Sequence, residues 1–276
     1  MLPPPPNASS PRPQRLSETA PPYRFSICTL VTRHDEYERM VESCRRAGFG
    51  DDCEYLYVDN SAGNAYDAYR AFNLFLQQSQ GRYVIVCHQD VEFRYDRRAD
   101  LEQRIEEVEA LDPRWALLGN AGCIDLEHRA IWITDGPDAR FYSTGARFPQ
   151  QVQSLDENFI LVRKDANLAV SADLDGFHFY GTDVCVVADI LGWSAYVVAF
   201  NLYHRSTGKV DESFDRLRTR FEQKYRRALR PRHVQTTMAR LYLSGQALGG
   251  LLLGNPVAQR IVRVSCKVRR RLFRTP

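Results

Sequence analysis

The chain has 276 residues, 44% of them hydrophobic and 26% charged, which is ordinary for a globular protein and enough for one large α/β domain or two small ones. A net charge of +3 is too small to argue for a nucleic-acid partner. Seven cysteines without CxxC spacing make neither a zinc site nor a disulfide framework, and suit reduced intracellular thiols.

No basic region followed by an apolar core opens the chain, so no signal peptide is expected. No run of 18 or more apolar residues offers a spanning helix. Residues 1–22 hold eight of the fourteen prolines with Ser, Asn and Thr between them. Such a segment buries too little apolar surface to offset its ordering entropy, and a disordered or polyproline-like arm is expected there.

Order is expected from Tyr23. Residues 25–31 read as a strand that ends at Thr32, Arg33 and His34. Residues 36–47 read as a helix, with Tyr37, Met40, Val41 and Cys44 at helical spacing and Gly48 as its stop. Residues 54–58 form a second strand running into Asp59, Asn60 and Ser61. Asn64 is the expected cap of a helix reaching Gln80, with Ala65, Tyr69, Phe72 and Leu76 on its apolar face. The run Tyr83, Val84, Ile85, Val86, Cys87 has the composition of a strand buried on both faces, and it stops abruptly at His88, Gln89 and Asp90. Strand, helix, strand, helix, strand with right-handed crossovers builds a parallel sheet. Ligands of such sheets bind beyond the carboxyl ends of the strands, where all three polar endings fall. Neither GxGxxG nor GxxxxGK[ST] follows any of these strands, so the common dinucleotide and phosphate-loop fingerprints are absent.

Residues 98–111 predict an amphipathic, charge-laced outer helix, and residues 115–118 a short strand followed by Gly119, Asn120, Ala121 and Gly122. Residues 123–153 are less regular and carry Trp132, Phe141, Tyr142 and Phe148, which suits either a substrate-covering loop region or a strand pair. Residues 157–163 read as another strand. Asp183 opens an expected helix over 183–191 that Gly192 terminates, and a carboxylate there either caps the helix or does chemistry. A strand over 195–202 leads directly to His204.

Five segments in this order, FSICTLVTRH, YVDNSAGNAYDAYRAFN, GRYVIVCHQDV, FHFYGTDVCVVADILGW and YHRSTG, resemble the family 2 type of glycosyltransferases with the GT-A fold, in the branch whose metal motif reads HQDV. The resemblance covers roughly residues 23–208. It implies an α/β fold with a doubly wound, mostly parallel (mixed) central sheet flanked by helices. It implies a metal-dependent hexosyltransferase that moves a sugar from a nucleotide-diphosphate sugar, a UDP-sugar by family habit, to an acceptor hydroxyl with inversion. The acceptor would be a glycan or lipid-linked sugar of a glycoconjugate or surface polysaccharide. Asp90 would hold Mg²⁺ or Mn²⁺ against the donor diphosphate, because a hard divalent cation stabilises the charge gathering on the leaving group. His204 would complete that metal site. Thr32, Asp59, Asn60, His88 and Gln89 would line the donor, and Asp183 would be the catalytic base that takes the acceptor proton. Two positions depart from the pattern: His88 stands at the first acidic position of the metal motif, and Thr182 where a glutamate is expected before Asp183. Glu92 is a candidate to compensate if the strand continues through it.

Residues 209–233 are basic, with Phe214, Leu217, Phe221 and Tyr225 at helical spacing. Residues 241–254 are apolar but short. Residues 260–276 carry seven Arg or Lys and no acid, interleaved with Ile261, Val262, Val264, Val268, Leu272 and Phe273, which suits an anionic membrane surface. A catalytic domain over 23–225 and a helical basic extension over 226–276 are expected, on a cytoplasmic protein peripheral to the inner face of the membrane. No RNA module accompanies the basic run, so no nucleic-acid partner is expected. Two other readings compete. A nucleotidyltransferase needs a Gly-rich basic loop that the first strand lacks. A catalytically silent nucleotide-sugar or membrane-surface binding protein on the same fold draws on His88 and Thr182.

Overall fold

A computed structural model describes residues 20–206, 212–246, 248 and 252–272. Residues 1–19 of the expected N-terminal arm lie outside the described residues. The chain divides into two compact units, one of residues up to 171 with 180–207, the other of 172–179 with the chain from 208 onward.

The first unit is a mixed α/β structure. Its strands are β1 (Tyr23–Val31), β2 (Cys53–Asp59), β3 (Gly81–Cys87), β4 (Val91–Glu92), β5 (Trp115–Gly119), β6 (Ala121–Cys123), β7 (Arg129–Asp135), β8 (Arg140–Ser143), β9 (Gln150–Val152), β10 (Ser154–Leu155), β11 (Phe159–Arg163), β12 (Ser194–Val197) and β13 (Tyr203–His204). Its helices are α1 (His34–Arg46), α2 (Ala68–Gln78), α3 (Arg98–Leu111) and α4 (Tyr180–Ile190). Seven strands form the central sheet in the order β2-β1-β3-β11-β5-β12-β9. β1, β2 and β3 are parallel, as the alternation of strands and helices predicts. β11 enters between β3 and β5 antiparallel to both, which makes the sheet mixed. A second sheet has the order β10-β6-β7-β13-β4, with β8 paired to β7. The irregular region 123–153 is therefore mostly strand, and Trp132 packs edge-on against Phe141 and Phe148 with ring centroids 5.0 and 5.6 Å apart.

Alternation along the central strands explains the core. Phe25 and Ile27 of β1, Tyr83 and Ile85 of β3 and Leu161 of β11 are buried in one cluster with Met40 and Cys44 of α1 and Leu101, Ile105 and Val108 of α3. α2 packs on β1 and β3 and buries Tyr69, Ala71, Phe72, Phe75 and Leu76. With helices against it, β3 is buried from Tyr83 to Cys87, which is why its run is continuous and not alternating. The six cysteines from Cys28 to Cys185 are unpaired, five of them buried, and burial pushes the Cys87 thiol up to about 12.

Two helix starts differ from expectation. α2 begins at Ala68, not beside Asn64, because the Asp67 carboxylate accepts from the Tyr69 and Arg70 N–H groups (3.0 and 3.1 Å). α4 begins at Tyr180, so Asp183 lies within the first turn and not at its start. Gly48 and Gly192 do end α1 and α4, at φ of +100° and +82°.

The second unit holds α5 (Glu212–Ala228), the hairpin β14 (Arg232–Gln235) with β15 (Arg240–Leu243), and α6 (Pro256–Leu272). Phe179 packs on Phe214 and Phe221 of α5, with ring centroids 4.6 and 5.7 Å away, and Arg220 pairs with Asp175. The apolar stretch 241–254 is thus not one element, since its first residues belong to β15.

Candidate functional site

The carboxyl end of β3 delivers the site. Past Cys87, the His88 N–H still donates to the Asn158 carbonyl (3.1 Å), and the Val91 N–H turns back to the His88 carbonyl (3.4 Å). This turn sets Asp90 beside β13, where the Arg205 N–H donates to the Asp90 carbonyl (3.1 Å). β13 lies antiparallel to β4 with His204 opposite Val91, and parallel to β7 with His204 opposite Asp135.

These pairings bring His88, Asp90 and His204 together, with one ligand atom from each inside 4.8 Å of the others. His204 Nε2 lies 3.4 Å from His88 Nδ1 and 3.5 Å from Asp90 Oδ1. The surrounding bonds suit one arrangement of the protons. His204 Nδ1 is 2.9 Å from Asp135 Oδ1, and a carboxylate only accepts, so Nδ1 carries the hydrogen. His88 Nε2 is 3.2 Å from the Tyr180 hydroxyl oxygen, which also reaches the Glu157 carbonyl at 3.3 Å; with the hydroxyl hydrogen on that carbonyl, Nε2 donates and His88 Nδ1 is left as a lone pair. The two inward nitrogens are then lone pairs. In that tautomer they and the Asp90 carboxylate oxygen can all serve as ligands.

A cation among three such acceptors would offset their mutual repulsion. Ligands about 2.1 Å from a shared ion stand roughly 3.0–3.4 Å from one another, close to the two separations that His204 makes. Burial, then the neighbouring His204, holds the His88 pKa below its ordinary value and keeps the imidazole in its neutral, ligating form. Burial acts to raise the Asp90 pKa, but interactions led by a hydrogen bond from Ser206 outweigh it and hold the carboxyl below its ordinary value. Two imidazoles and one carboxylate suit a transition ion such as Mn²⁺ better than Mg²⁺. The donor set therefore fits the divalent cation that the resemblance implies.

The other expected residues line the same edge with different tasks. Gln89 Oε1 accepts from the Thr32 and Arg33 N–H groups (2.8 and 2.9 Å), and its amide nitrogen donates to Thr32 Oγ1 (2.8 Å), which fastens the end of β1 to the end of β3. Asp59 is exposed at the end of β2; it accepts from the Ser61 N–H (2.8 Å) and lies 3.3 Å from His34 Nε2. Asn60 is buried and braces its own loop through Tyr66, accepting from the N–H and donating to the carbonyl. Glu92 is taken by Arg94 and Arg205 at 2.8 and 2.5 Å, so it does not compensate at the triad.

Asp183 is placed unlike an open base. Its carboxylate is fully buried, with Oδ2 receiving the Ser171 N–H (2.6 Å) and Oδ1 the Ser171 hydroxyl (2.7 Å). The exposed carboxylate near His88 is Asp156, which acts on the charge of His88 and Tyr180 and accepts from the Asn158 N–H (3.0 Å).

No protein-family model matches the chain. ATP synthase subunits region ORF 6 of Fuscovulum blasticum is 39% identical over 230 residues, covering 80% of this chain and 91% of that protein. The chain belongs to that protein's family. The relative's name states no activity. Among solved structures the chain is similar to the mannosyltransferase PcManGT from Pyrobaculum calidifontis in complex with GDP-Man and Mn²⁺, at 11% identity and a TM-score of 0.48, over 74% of this chain and 64% of that one. It is similar also to S. aureus TarS, at 12% identity and a TM-score of 0.46, over 74% of this chain and 43% of that one. A197 from STIV shares 12% identity at a TM-score of 0.42, over 67% of this chain and 86% of that one. The chain thus spans less than two thirds of the mannosyltransferase and less than half of TarS.

For this family member, four residues of the site lie outside the motifs read from the sequence or were read there without a role. Asp135 orients His204, Tyr180 orients His88, Ser171 holds Asp183, and Asp156 lies open beside His88. Asp135 had a legible signal: it ends a strand and precedes a glycine and a proline, much as Asp59 ends β2. Ser171 had none, since nothing local links it to a residue twelve positions on.

Proposed function

We propose that this protein is a glycosyltransferase that moves a sugar from a nucleotide-diphosphate donor to an acceptor hydroxyl with inversion. The observation that carries the reading is the triad His88, Asp90 and His204 at the carboxyl edge of the parallel strands, with one ligand atom from each inside 4.8 Å of the others. The order of the five sequence segments and the fastened ends of β1 and β3 support it. His88, Asp90 and His204 would hold Mn²⁺ or Mg²⁺, and the bound cation would offset charge on the departing diphosphate. Asp135 and Tyr180 keep the two imidazoles turned inward. Thr32 and Asp59 are exposed where a nucleoside would rest. A UDP-sugar donor and a glycan or lipid-linked acceptor complete the proposal.

Asp183 is proposed as the base on the strength of the resemblance, with release of its carboxylate by Ser171 as part of acceptor binding. Catalytic hydrogen bonds often form only in the loaded complex, so the sealed arrangement is a starting state for this step. A panel of nucleotide sugars, assayed with Mn²⁺, Mg²⁺ and EDTA, tests the function. Metal-dependent release of one nucleoside diphosphate is the expected result. Asp183→Asn is expected to keep donor binding and lose transfer, while Asp156→Asn keeps both; the reverse pattern would move the base to Asp156. The burial of Asp183 favours one second reading, a silent donor-binding protein. Donor binding without turnover by the wild-type chain, with any acceptor extract, would select it.

A further inference from the structure

We propose that α6 docks this protein on an anionic lipid surface. The proposal concerns the second unit alone and does not depend on the transferase reading. α6 has 17 residues, about 25 Å of helix, and Asn255 caps it by accepting from the Ala258 N–H (3.0 Å). Val257, Ile261 and Val264 follow one another at i, i+4 and i+7, which is one row on a helix. They are 69%, 65% and 55% exposed, so this row is not part of the core. The same spacing continues in the sequence at Val268 and Leu272.

The charge around the row has one sign. From Gln223 to the end the chain carries thirteen Lys or Arg and no Asp or Glu, whereas before it acidic residues outnumber basic ones by ten. Lys224 and Arg227 of α5 are matched by Asp173. Arg230, Arg232, Arg240, Arg260 and Arg263 pair with no acid among the described residues. An apolar row flanked by unmatched cations complements a bilayer interface, where the row enters the acyl boundary and the cations meet lipid phosphates. A nucleic-acid backbone would use the cations but leave the row in water. Nor is α6 a spanning element, since no helix among the described residues is long and apolar enough to cross a membrane.

The full-length chain should be sedimented with phosphatidylcholine vesicles, alone and with roughly one third phosphatidylglycerol, at low and high salt. Binding to the anionic vesicles only, weakened by salt, is expected. Arg260→Glu with Arg263→Glu should weaken it by about 30-fold or more, at about fivefold per cation removed. Ile261→Glu with Val264→Glu should abolish it. All four positions are exposed, and the circular dichroism of both variants should match the wild type. Equal or absent binding to the two vesicle types would overturn the proposal. So would anionic-vesicle binding that Ile261→Glu with Val264→Glu leaves unchanged, or RNA binding in place of vesicle binding.

Discussion

The bond between Ser171 and Asp183 decides how the most obvious mutant of this protein should be read. Asp183 Oδ2 and Oδ1 receive the Ser171 N–H and hydroxyl at 2.6 and 2.7 Å, and the carboxylate is fully buried. Ser171→Ala removes one bond to a charged acceptor, a loss of about 1.5–3 kcal/mol. Asp183→Ala also strands the Ser171 N–H and opens a small void, for about 3–5 kcal/mol. Asp183→Asn is milder. Its amide oxygen still accepts from the N–H, and its amide nitrogen donates to a serine oxygen that rotates to accept, so that toward Ser171 the loss is the charge contribution of about 1–2 kcal/mol. All three tryptophans, Trp115, Trp132 and Trp193, lie in the first unit, so urea unfolding followed by tryptophan fluorescence reports on that unit. The order Asp183→Ala, then Ser171→Ala, then Asp183→Asn is expected, from most to least destabilised. A Ser171→Ala loss below about 0.5 kcal/mol would refute the clamp. With this order established, lost transfer in Asp183→Asn reports on chemistry and not on folding.

Asp135→Asn keeps the size of the group that orients His204 but weakens its hold, and should lower Mn²⁺ affinity by about 10–100-fold, read by calorimetry, with little change in stability. Arg98 holds the Asp52 carboxyl below its ordinary 3.8 through a paired contact at 2.5 and 2.6 Å. A depressed carboxyl contributes stability above its unfolded pKa and loses it as pH falls through the folded one. Arg98→Ala should therefore flatten the fall in stability below about pH 3.8, and, as both groups are partly exposed, cost less than about 1 kcal/mol at neutral pH. An unchanged acid limb in chemical unfolding would contradict this.

Much of the fold is legible because it is local. The 83–87 run, the 98–111 helix and the glycine stops at 48 and 192 depend on composition and periodicity, and each stands where expected. The cap of α2 was not legible, because Asn64 and Asp67 are both good caps. The choice is made by Asn60, which ties Tyr66 at both backbone groups and closes residues 61–66 into a turned loop, leaving Asp67 to cap the helix. The direction of β11 was not legible either, since a buried strand has the same composition whether parallel or antiparallel. Within the site, His88, Asp90 and His204 were readable as polar residues after strands. Their mutual approach rests on β13 pairing with β4 and β7 across more than sixty residues, which no local pattern encodes. Ser171 sealing Asp183 is of the same kind, a tertiary contact between a loop and the first turn of α4.

The central claim is that His88, Asp90 and His204 form one cation site. It is tested most directly by titrating the chain with Mn²⁺ and counting bound ions from the loss of the free-ion electron paramagnetic resonance signal. One site per chain is predicted, abolished in Asp90→Asn with His204→Gln and retained in Glu92→Gln, whose carboxylate is already held by two arginines. No binding by the wild type, or equal binding by the Asp90→Asn with His204→Gln variant, would contradict the account.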